Sequence, residues 1–208
     1  APGAGIVLFD GRGGEYAARI ERVQKDEVAV SVTGFQPVER ESTLRVHLAQ
    51  GISGGERMDY TLQKAVELGV DAIQPIAARR SVVKLDGERA DRRVAHWQGV
   101  VASACEQCGR NRVPPVAPPI ALADWLGRRP AGRLLFLSPL AERRLAELPP
   151  PDGADTLVAG PEGGFEADEI AALHAARAMP VRLGARILRT ETAALAALAA
   201  MQTLWGDF

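Results

Sequence analysis

Two glycine-bearing segments of the 208-residue sequence have the residue types and the placement of a ligand-binding site. The first, GPEGGF at residues 160–165, follows a short apolar run at 156–159, and the second begins at Gly184, after the short predicted strand 181–183. Such runs are typical of buried strands in a parallel sheet, and ligands bind at the carboxyl ends of those strands. Glycine there lets backbone amides approach a ligand closely. We therefore predict that the two segments together enclose one ligand.

The first segment does not match the common nucleotide-binding motifs. It is neither G-x-G-x-x-G nor a P-loop, since no Lys-Ser/Thr pair follows it. Glu166, Asp168 and Glu169 open the helix that comes next, and their charge disfavours a bound phosphate. The segment suits a neutral ring or a cationic ligand better than a pyrophosphate, which argues against a Rossmann-type nucleotide enzyme. A plain strand-to-helix turn without a ligand is the alternative.

A CxxC motif at Cys105 and Cys108 invites a zinc or redox interpretation. Zinc needs four ligands, and the sequence offers beyond this pair only three scattered histidines, at 47, 96 and 174. The motif ends a predicted helix, whereas a thioredoxin-type motif opens one. We predict no metal site, and the low cysteine content favours a reducing cytoplasm.

Composition excludes several classes of protein. A hydrophobic fraction of 47%, a charged fraction of 25% and a net charge of −1 are those of a soluble globular protein. No apolar run is long enough to cross a membrane, so we expect no membrane partner. Near-neutral charge argues against coating nucleic acid by bulk electrostatics. Residues 79–112, however, hold eight Lys or Arg against four Asp or Glu, an excess of four positive charges. This excess is either a local phosphate-binding patch or a solvated charged face.

Elements of two kinds must position these residues. Short runs at 6–9, 16–22 and 27–32, punctuated by turn residues, predict antiparallel strands. Three strands make a marginal sheet, and we expect the sequence to begin inside a larger β domain. Beyond a polar connector at 34–42 the pattern becomes alternating βα, which predicts a mostly parallel sheet. Its predicted strands are 44–48, 73–78, 134–137, 156–159 and 181–183, and its predicted helices are 58–68, 88–108, 166–178 and 190–205.

Two of the helices carry specific expectations. Ser53 and Glu56 have the spacing of a capping box at the first helix, and Gly69 is a candidate for its end. Thr190 or Thr192 is expected to cap the last helix. That helix is nearly all Ala and Leu, so we expect it to be buried in a core or an oligomer interface.

Six stretches of the sequence, in this order, resemble the ribosomal RNA small subunit methyltransferase E family, the uracil-N3 methyltransferases of the knotted SPOUT superfamily. GPEGG and LGxRILRTETA at their observed separation are the most specific pair. The stretches span almost the whole chain. They are LFDG (8–11), QKAVELGV (63–70), residues 76–84, CEQCGRNRVP (105–114), GPEGGFEADEI (160–170) and LGARILRTETA (183–193).

The resemblance implies an α/β fold, with a SPOUT-type parallel sheet and a C-terminal deep trefoil knot, preceded by part of a small PUA-like β-barrel. The implied domains are 1–36, the RNA-binding part of the barrel, and 42–208, the methyltransferase domain. It also implies a homodimer whose partner completes each site. The implied cofactor is S-adenosylmethionine, without a metal, held largely by backbone groups. Its implied contacts are Leu137, Ser138, Gly160, Pro161, Glu162, Gly163, Leu183, Gly184, Ile187, Leu188 and Arg189.

The implied substrate is 16S ribosomal RNA in the small subunit, and the implied product is 3-methyluridine. A cation near the uracil oxygens would stabilise the charge that develops when N3 attacks the methyl group. Arg189 is the first candidate for this cation and Arg112 the second, while Glu191 would orient an arginine or accept the proton. The residues expected to bind phosphates are Arg79, Arg80, Lys84, Arg110 and Arg112.

Two further functions stay open on the sequence. A knotted methyltransferase for another RNA, such as transfer RNA, would share the pocket and differ only in its RNA contacts. A noncatalytic RNA-binding module would need both glycine segments to be structural, and it would not bind the methyl donor.

Overall fold

The computed structural model describes residues 1–81 and 87–208, so the predicted phosphate ligand Lys84 lies outside the described residues. The chain forms two compact units. The first contains residues 1–41 and 105–113, and the second contains residues 42–104 and 114–208. The domain boundaries 1–36 and 42–208 stay a prediction, and the segment 105–113 joins the N-terminal residues without a sequence signal for it.

The first unit is built on an antiparallel sheet of order β1-β2-β3, with strands β1 (Gly5–Leu8), β2 (Glu15–Val23) and β3 (Val28–Gln36). Segment 105–113 attaches to its turn region through backbone bonds. The amide of Gly13 donates to Asn111 O at 3.0 Å, and that of Val113 donates to Gly11 O at 3.1 Å. All three predicted strands of this sheet are present, and each is slightly displaced from its predicted range or longer than it.

The second unit contains a six-stranded parallel sheet of order β6-β5-β4-β8-β7-β9. The prediction of an α/β fold with a parallel sheet is confirmed. Side chains at the centre of the sheet, such as Leu48, Leu135 and Leu157, are fully buried. The strands are β4 (Val46–Gly51), β5 (Ala72–Ala77), β6 (Ile120–Ala121), β7 (Arg133–Leu137), β8 (Asp155–Ala159) and β9 (Met179–Val181).

In residues 1–81 and 87–208, five α-helices accompany the sheets, and a 3-10 turn spans Leu145–Glu147. Within the described ranges, no helix is both long enough and apolar enough to cross a membrane. The helices are α1 (Glu56–Glu67), α2 (Gly87–Cys108), α3 (Leu122–Leu126), α4 (Ala167–Ala175) and α5 (Thr190–Trp205). Strand β6 and helix α3 were not predicted, because each is too short to show a periodic pattern.

Of the two predictions for the ends of α1, the first is wrong and the second is confirmed. The predicted capping box is wrong, because the N-cap is Gly55, at φ 51°, and no side chain caps the helix. Ser53 instead contacts Gly51 O at 3.4 Å. Gly69 ends the helix as predicted, with φ 79°. Its amide donates to Val66 O and the next amide donates to Ala65 O, which is the Schellman arrangement.

Helix α4 differs from expectation, and α5 is partly buried within the single chain. Helix α4 ends at Ala175 rather than 178, because Arg177 adopts a left-handed conformation with φ 60° and the amide of Ala178 turns back to Leu173 O. Helix α5 is not buried all round. It buries one stripe, which includes Ala194, Leu198 and Met201, and it leaves Leu204 43% exposed.

Candidate active site

A cavity of about 540 Å³ lies at the carboxyl ends of three adjacent strands, β8, β7 and β9. Leu137 ends β7 and residues 138–140 follow it, residues 160–165 follow β8 and residues 182–191 follow β9, and all three segments line the cavity. Both glycine segments therefore face one cavity. We call residues 160–165 the first wall and residues 183–189 the second wall. The structure brings together every residue that the resemblance placed around the cofactor.

The first wall is held from outside by two arginines. Arg57 of α1 contacts Glu162 at 3.2 Å, and the amide of Gly54 donates to the same carboxylate at 3.1 Å. Arg80, just after β5, donates to Gly163 O at 3.1 Å and forms two bonds with Glu166, of 2.7 and 3.0 Å. These bonds set the path of the glycine segment before any ligand binds.

The carboxylate of Glu162 is kept ionised by this arrangement. Partial burial raises its pKa, but hydrogen bonds from its own backbone amide, from Gly54 and from Arg57 outweigh burial, so its pKa lies below the ordinary value of 4.5. The pKa of Glu166 is also lowered, chiefly by the hydrogen bond from Arg80. The acidic residues near this segment are thus engaged within the protein.

Close packing makes glycine necessary where β4 meets the first wall. A Cβ on Gly51 would lie 2.6 Å from Pro161 Cδ and 2.7 Å from Gly160 C. A Cβ on Gly163 would lie 2.9 Å from Arg80 Cβ. Glycine at position 51 lets β4 pack against the first wall, and glycine at position 163 lets Arg80 pack against it.

The second wall has the opposite character. Within the described part of the chain, residues 183–188 make no backbone–backbone hydrogen bond, and they form bends rather than regular structure up to 186. Backbone donors and acceptors need partners, so those of Leu183, Gly184, Ile187 and Leu188 are available to a ligand or to water.

One buried side-chain network joins the two walls. The Thr190 hydroxyl donates to Gly160 O and accepts a hydrogen bond from Gln50 Nε2 at 3.0 Å. Gln50, fully buried at the end of β4, also donates to Gly51 O at 3.0 Å. The expectation that Thr190 or Thr192 caps α5 is wrong, because the N-cap is Arg189 and no side chain caps it. Sequence reasoning also missed Gln50, which no local pattern distinguishes.

Two of the three predicted catalytic residues line the cavity. Arg189 is exposed, and no described side chain pairs with it. Glu191 is half-buried, and its Oε2 is buried without a hydrogen-bond partner among the described residues. The structure places Arg112 elsewhere, in the first unit, where it forms a two-bond pair with Glu39 at 3.0 and 3.1 Å.

The predicted phosphate-binding arginines are already paired with carboxylates. Arg79 pairs with Asp168, and its amide donates to Glu169; Arg80 holds the first wall. Arg110 differs most from the expected exposed patch, because its side chain is only 7% exposed and pairs with Glu41 in the first unit. Burial and this pair remove Arg110 from the surface.

The cysteines behave as structural residues. Cys105 is buried, and burial raises the pKa of its thiol to about 11, which leaves it protonated and unreactive near neutral pH. Cys108 is the last residue of α2, as the sequence predicted. Among the described residues, no group of three or more His, Cys, Asp or Glu is arranged to hold a metal ion.

Known proteins resemble this chain along nearly its whole length. The family model described as RNA methyltransferase domain matches residues 40–202, and the one described as RNA methyltransferase PUA domain matches residues 1–33. The ribosomal RNA small subunit methyltransferase E of Buchnera aphidicola (subsp. Schizaphis graminum) is 33% identical over 203 residues, which are 97% of this chain and 82% of that protein. The Bacillus subtilis protein of the same name is 32% identical over 205 residues, with 94% and 80% covered.

Solved structures agree with these relatives. The ribosomal RNA small subunit methyltransferase E of Neisseria gonorrhoeae, bound to S-adenosylmethionine, is 46% identical with a TM-score of 0.93, covering 100% of this chain and 86% of that one. A Legionella pneumophila protein with bound S-adenosylmethionine is 40% identical with a TM-score of 0.96 and the same coverage. With two walls meeting at one cavity and relatives matched over both units, the chain belongs to the ribosomal RNA small subunit methyltransferase E family.

Proposed function

We propose that this protein methylates N3 of a uridine in 16S ribosomal RNA of the small subunit, using S-adenosylmethionine and giving 3-methyluridine. The observation that carries the proposal is that both glycine segments, far apart in the sequence, line one cavity at the carboxyl ends of β7, β8 and β9. Relatives named for this activity, and neighbours solved with S-adenosylmethionine, support it.

The cavity suits S-adenosylmethionine on its own features. Its volume of about 540 Å³ is in the range of small-molecule sites. Apolar residues such as Leu137 and Leu183 can contact an adenine ring, and the unpaired backbone groups of the second wall can bind its polar edge. Glu191 lines the cavity, and its carboxylate can balance a positive charge there. When bound, S-adenosylmethionine supplies a methyl group attached to a positively charged sulfur.

Arg189 is the residue we assign to stabilising the reacting uracil. Loss of the N3 proton places negative charge on the uracil, shared by its two oxygens, and the bond from N3 to the methyl carbon would form as the bond from that carbon to sulfur breaks. A guanidinium that lines the cavity, with no carboxylate partner among the described residues, can donate hydrogen bonds to them. Arg112, paired with Glu39 in the first unit, is a weaker candidate.

Glu191 is the residue we assign to accepting the N3 proton. Its alternative role, to orient an arginine, would require an ion pair, and none joins Glu191 to an arginine in the described ranges. Glu191 lines the cavity, and its Oε2 has no hydrogen-bond donor among the described residues, so a rotation of this carboxylate towards the entering base would let it take the proton.

Further parts of the proposal concern the fold and the RNA. We infer that the C-terminal segment is threaded into a trefoil knot, that residues 1–41 and 105–113 represent part of a PUA-like barrel, and that the protein acts as a homodimer. The half-buried residues of α5 support an interface there. Arg79, Arg80 and Arg112 would bind RNA phosphates only by exchanging their carboxylate partners.

The test is methylation of small ribosomal subunits from cells that lack the enzyme, with labelled S-adenosylmethionine, followed by mass mapping of the modified nucleotide. We expect 3-methyluridine at one position of 16S RNA. Label in transfer RNA alone would establish the rival substrate. If calorimetry detects no binding of S-adenosylmethionine, the function that stays open is that of a noncatalytic RNA-binding module.

The assignment of Arg189 is tested in the same assay. We expect Arg189→Ala to lower turnover by roughly a hundredfold, the size of effect seen when one charge-stabilising donor is removed, while the Kd for the donor changes much less. The control is Arg128→Ala, at an exposed arginine outside the cavity. Wild-type turnover of Arg189→Ala would remove Arg189 from this role.

A further inference from the structure

We propose that Arg186, Ile187 and Leu140 form the docking lip for the ribosomal RNA strand: Arg186 binds a phosphate beside the target nucleotide, and the two apolar side chains contact the unstacked base. This inference rests on the proposed function. Neither the family resemblance nor the sequence assigned these residues to the RNA; Ile187 was expected to contact the methyl donor through its backbone, which leaves its side chain for the RNA.

The first observation is the distribution of charge around the cavity. Arg57 and Arg80, which hold the first wall, are neutralised by Glu162 and Glu166. Arg186, on the second wall, lines the same cavity, is exposed, and has no side-chain partner among the described residues. A guanidinium without a protein carboxylate is available to a phosphate, which it binds in two-bond geometry.

The second observation is apolar and independent of charge. Among the described residues, the most exposed large apolar side chains are Leu140, at 92%, and Ile187, at 85%. Both line the cavity, one from the segment after β7 and one from the second wall. Exposed apolar side chains that flank a cavity mark a place where a partner covers them.

Together these features fit RNA better than another partner. Single-stranded RNA presents phosphates next to splayed bases, which proteins hold with arginine and with flat or apolar side chains. Arg186 and Ile187 are adjacent in the chain, so one phosphate and one base of the same strand can reach them together. A target base must leave its stack to meet a methyl donor inside a cavity.

The experiment measures binding without turnover. Unmethylated small subunits are titrated with the protein over a range of salt concentrations, in the presence of S-adenosylhomocysteine, and calorimetry gives the Kd for S-adenosylmethionine separately. For Arg186→Ala, we expect the slope of log K against log salt to fall in magnitude by about 0.7–0.9, the value for one lost phosphate contact. The donor Kd should stay within about twofold of wild type, and the matched control Arg128→Ala should change neither quantity.

Two results with Arg186→Ala overturn the charge part of the proposal. An unchanged salt slope would show that Arg186 meets no phosphate. A donor Kd that rises as much as the RNA Kd would assign Arg186 to the donor's carboxylate instead.

The apolar part is tested with Leu140→Ser and Ile187→Ser. We expect weaker RNA binding, by about threefold to tenfold, with an unchanged salt slope, because apolar contact releases no counterions. If either variant instead dissociates an oligomer, measured by light scattering, and leaves RNA affinity intact, a second copy of the chain covers these side chains and the proposal is wrong.

Failure of the proposed function would look different. Wild-type protein would then methylate no small subunit, whatever Arg186→Ala does to the salt dependence of RNA binding.

Discussion

The two walls of the cavity are built on different principles. The first wall is tied to its surroundings by Arg57, Arg80 and Gly51, so protein contacts define its shape. The second wall makes no backbone hydrogen bonds over 183–188 within the described residues and exposes Ile187 almost fully. One wall is formed in advance, and the other keeps its polar groups available for what binds. A site of this kind combines a rigid template with a segment that the ligand completes.

The largest effect is expected from filling the space beneath the first wall. Gly51→Ala should weaken donor binding by about a hundredfold or more, because its methyl group would overlap Pro161 and Gly160 and overpacking costs about 1–3 kcal/mol or more. Gly54→Ala is the matched control, since a Cβ there meets nothing within 4 Å. Calorimetry with S-adenosylmethionine measures both, and near-normal affinity of Gly51→Ala would show that the first wall is adaptable.

A second effect should be confined to the second wall. Saturating S-adenosylmethionine should slow hydrogen exchange at residues 183–188 by up to about a hundredfold, the protection available at a ligand concentration of 100 Kd. Residues 160–165 should change less, because protein contacts already hold them. Mass spectrometry of peptides from each wall makes the comparison, and equal protection of both walls would remove the distinction between them.

A smaller effect should follow from removing the hydrogen bond between Thr190, which follows the second wall, and Gly160 of the first wall. Thr190→Val removes the hydroxyl that binds Gly160 O and leaves Gln50 Nε2 without one acceptor, so donor Kd should rise by about fivefold to thirtyfold, equivalent to 1–2 kcal/mol. Thr190→Ser keeps the hydroxyl and should bind nearly as wild type. Thr192→Val, at an exposed position of the same helix, is the control for the effect of introducing valine. A variant Thr190→Ser as weak as Thr190→Val would show that shape, not the hydrogen bond, matters.

The smallest effect concerns the ion pair at the rim of the first wall. Because the folded pKa of Glu162 is lowered, its contribution to stability is present above the unfolded value near 4.5 and is lost as pH falls through the lower folded pKa. At neutral pH, Glu162→Gln should therefore lower the free energy of unfolding by about 1 kcal/mol or less, and the Tm slightly with it. In strong acid, the Tm of the variant should match that of wild type. Scanning calorimetry at several pH values tests this. A Tm difference that does not shrink on acidification would contradict the pKa assignment.

Local patterns were sufficient for most of the elements but not for the contacts between their side chains. Gly69 ends α1 because glycine tolerates the left-handed conformation, and that is a property of the residue itself. Arg110 and Arg112 look alike in sequence, yet Arg110 is buried against Glu41 while Arg112 is exposed. Whether an arginine binds a phosphate or a carboxylate depends on which acid the fold brings to it, and no spacing along the chain encodes that.

The sequence by itself determined that two glycine segments follow buried strands and that a small β unit is followed along the chain by an α/β unit. It also determined that the motifs are those of one methyltransferase family. Turn chemistry and hydrophobic periodicity act over a few residues, so they can be read locally. Only the tertiary structure decided that Gly160 and Thr190 are joined by a hydrogen bond and that Gln50 supports it. Contacts between residues so far apart in the chain follow from strand order, which brings β8 and β9 to either side of β7 and places both walls at one edge of the sheet.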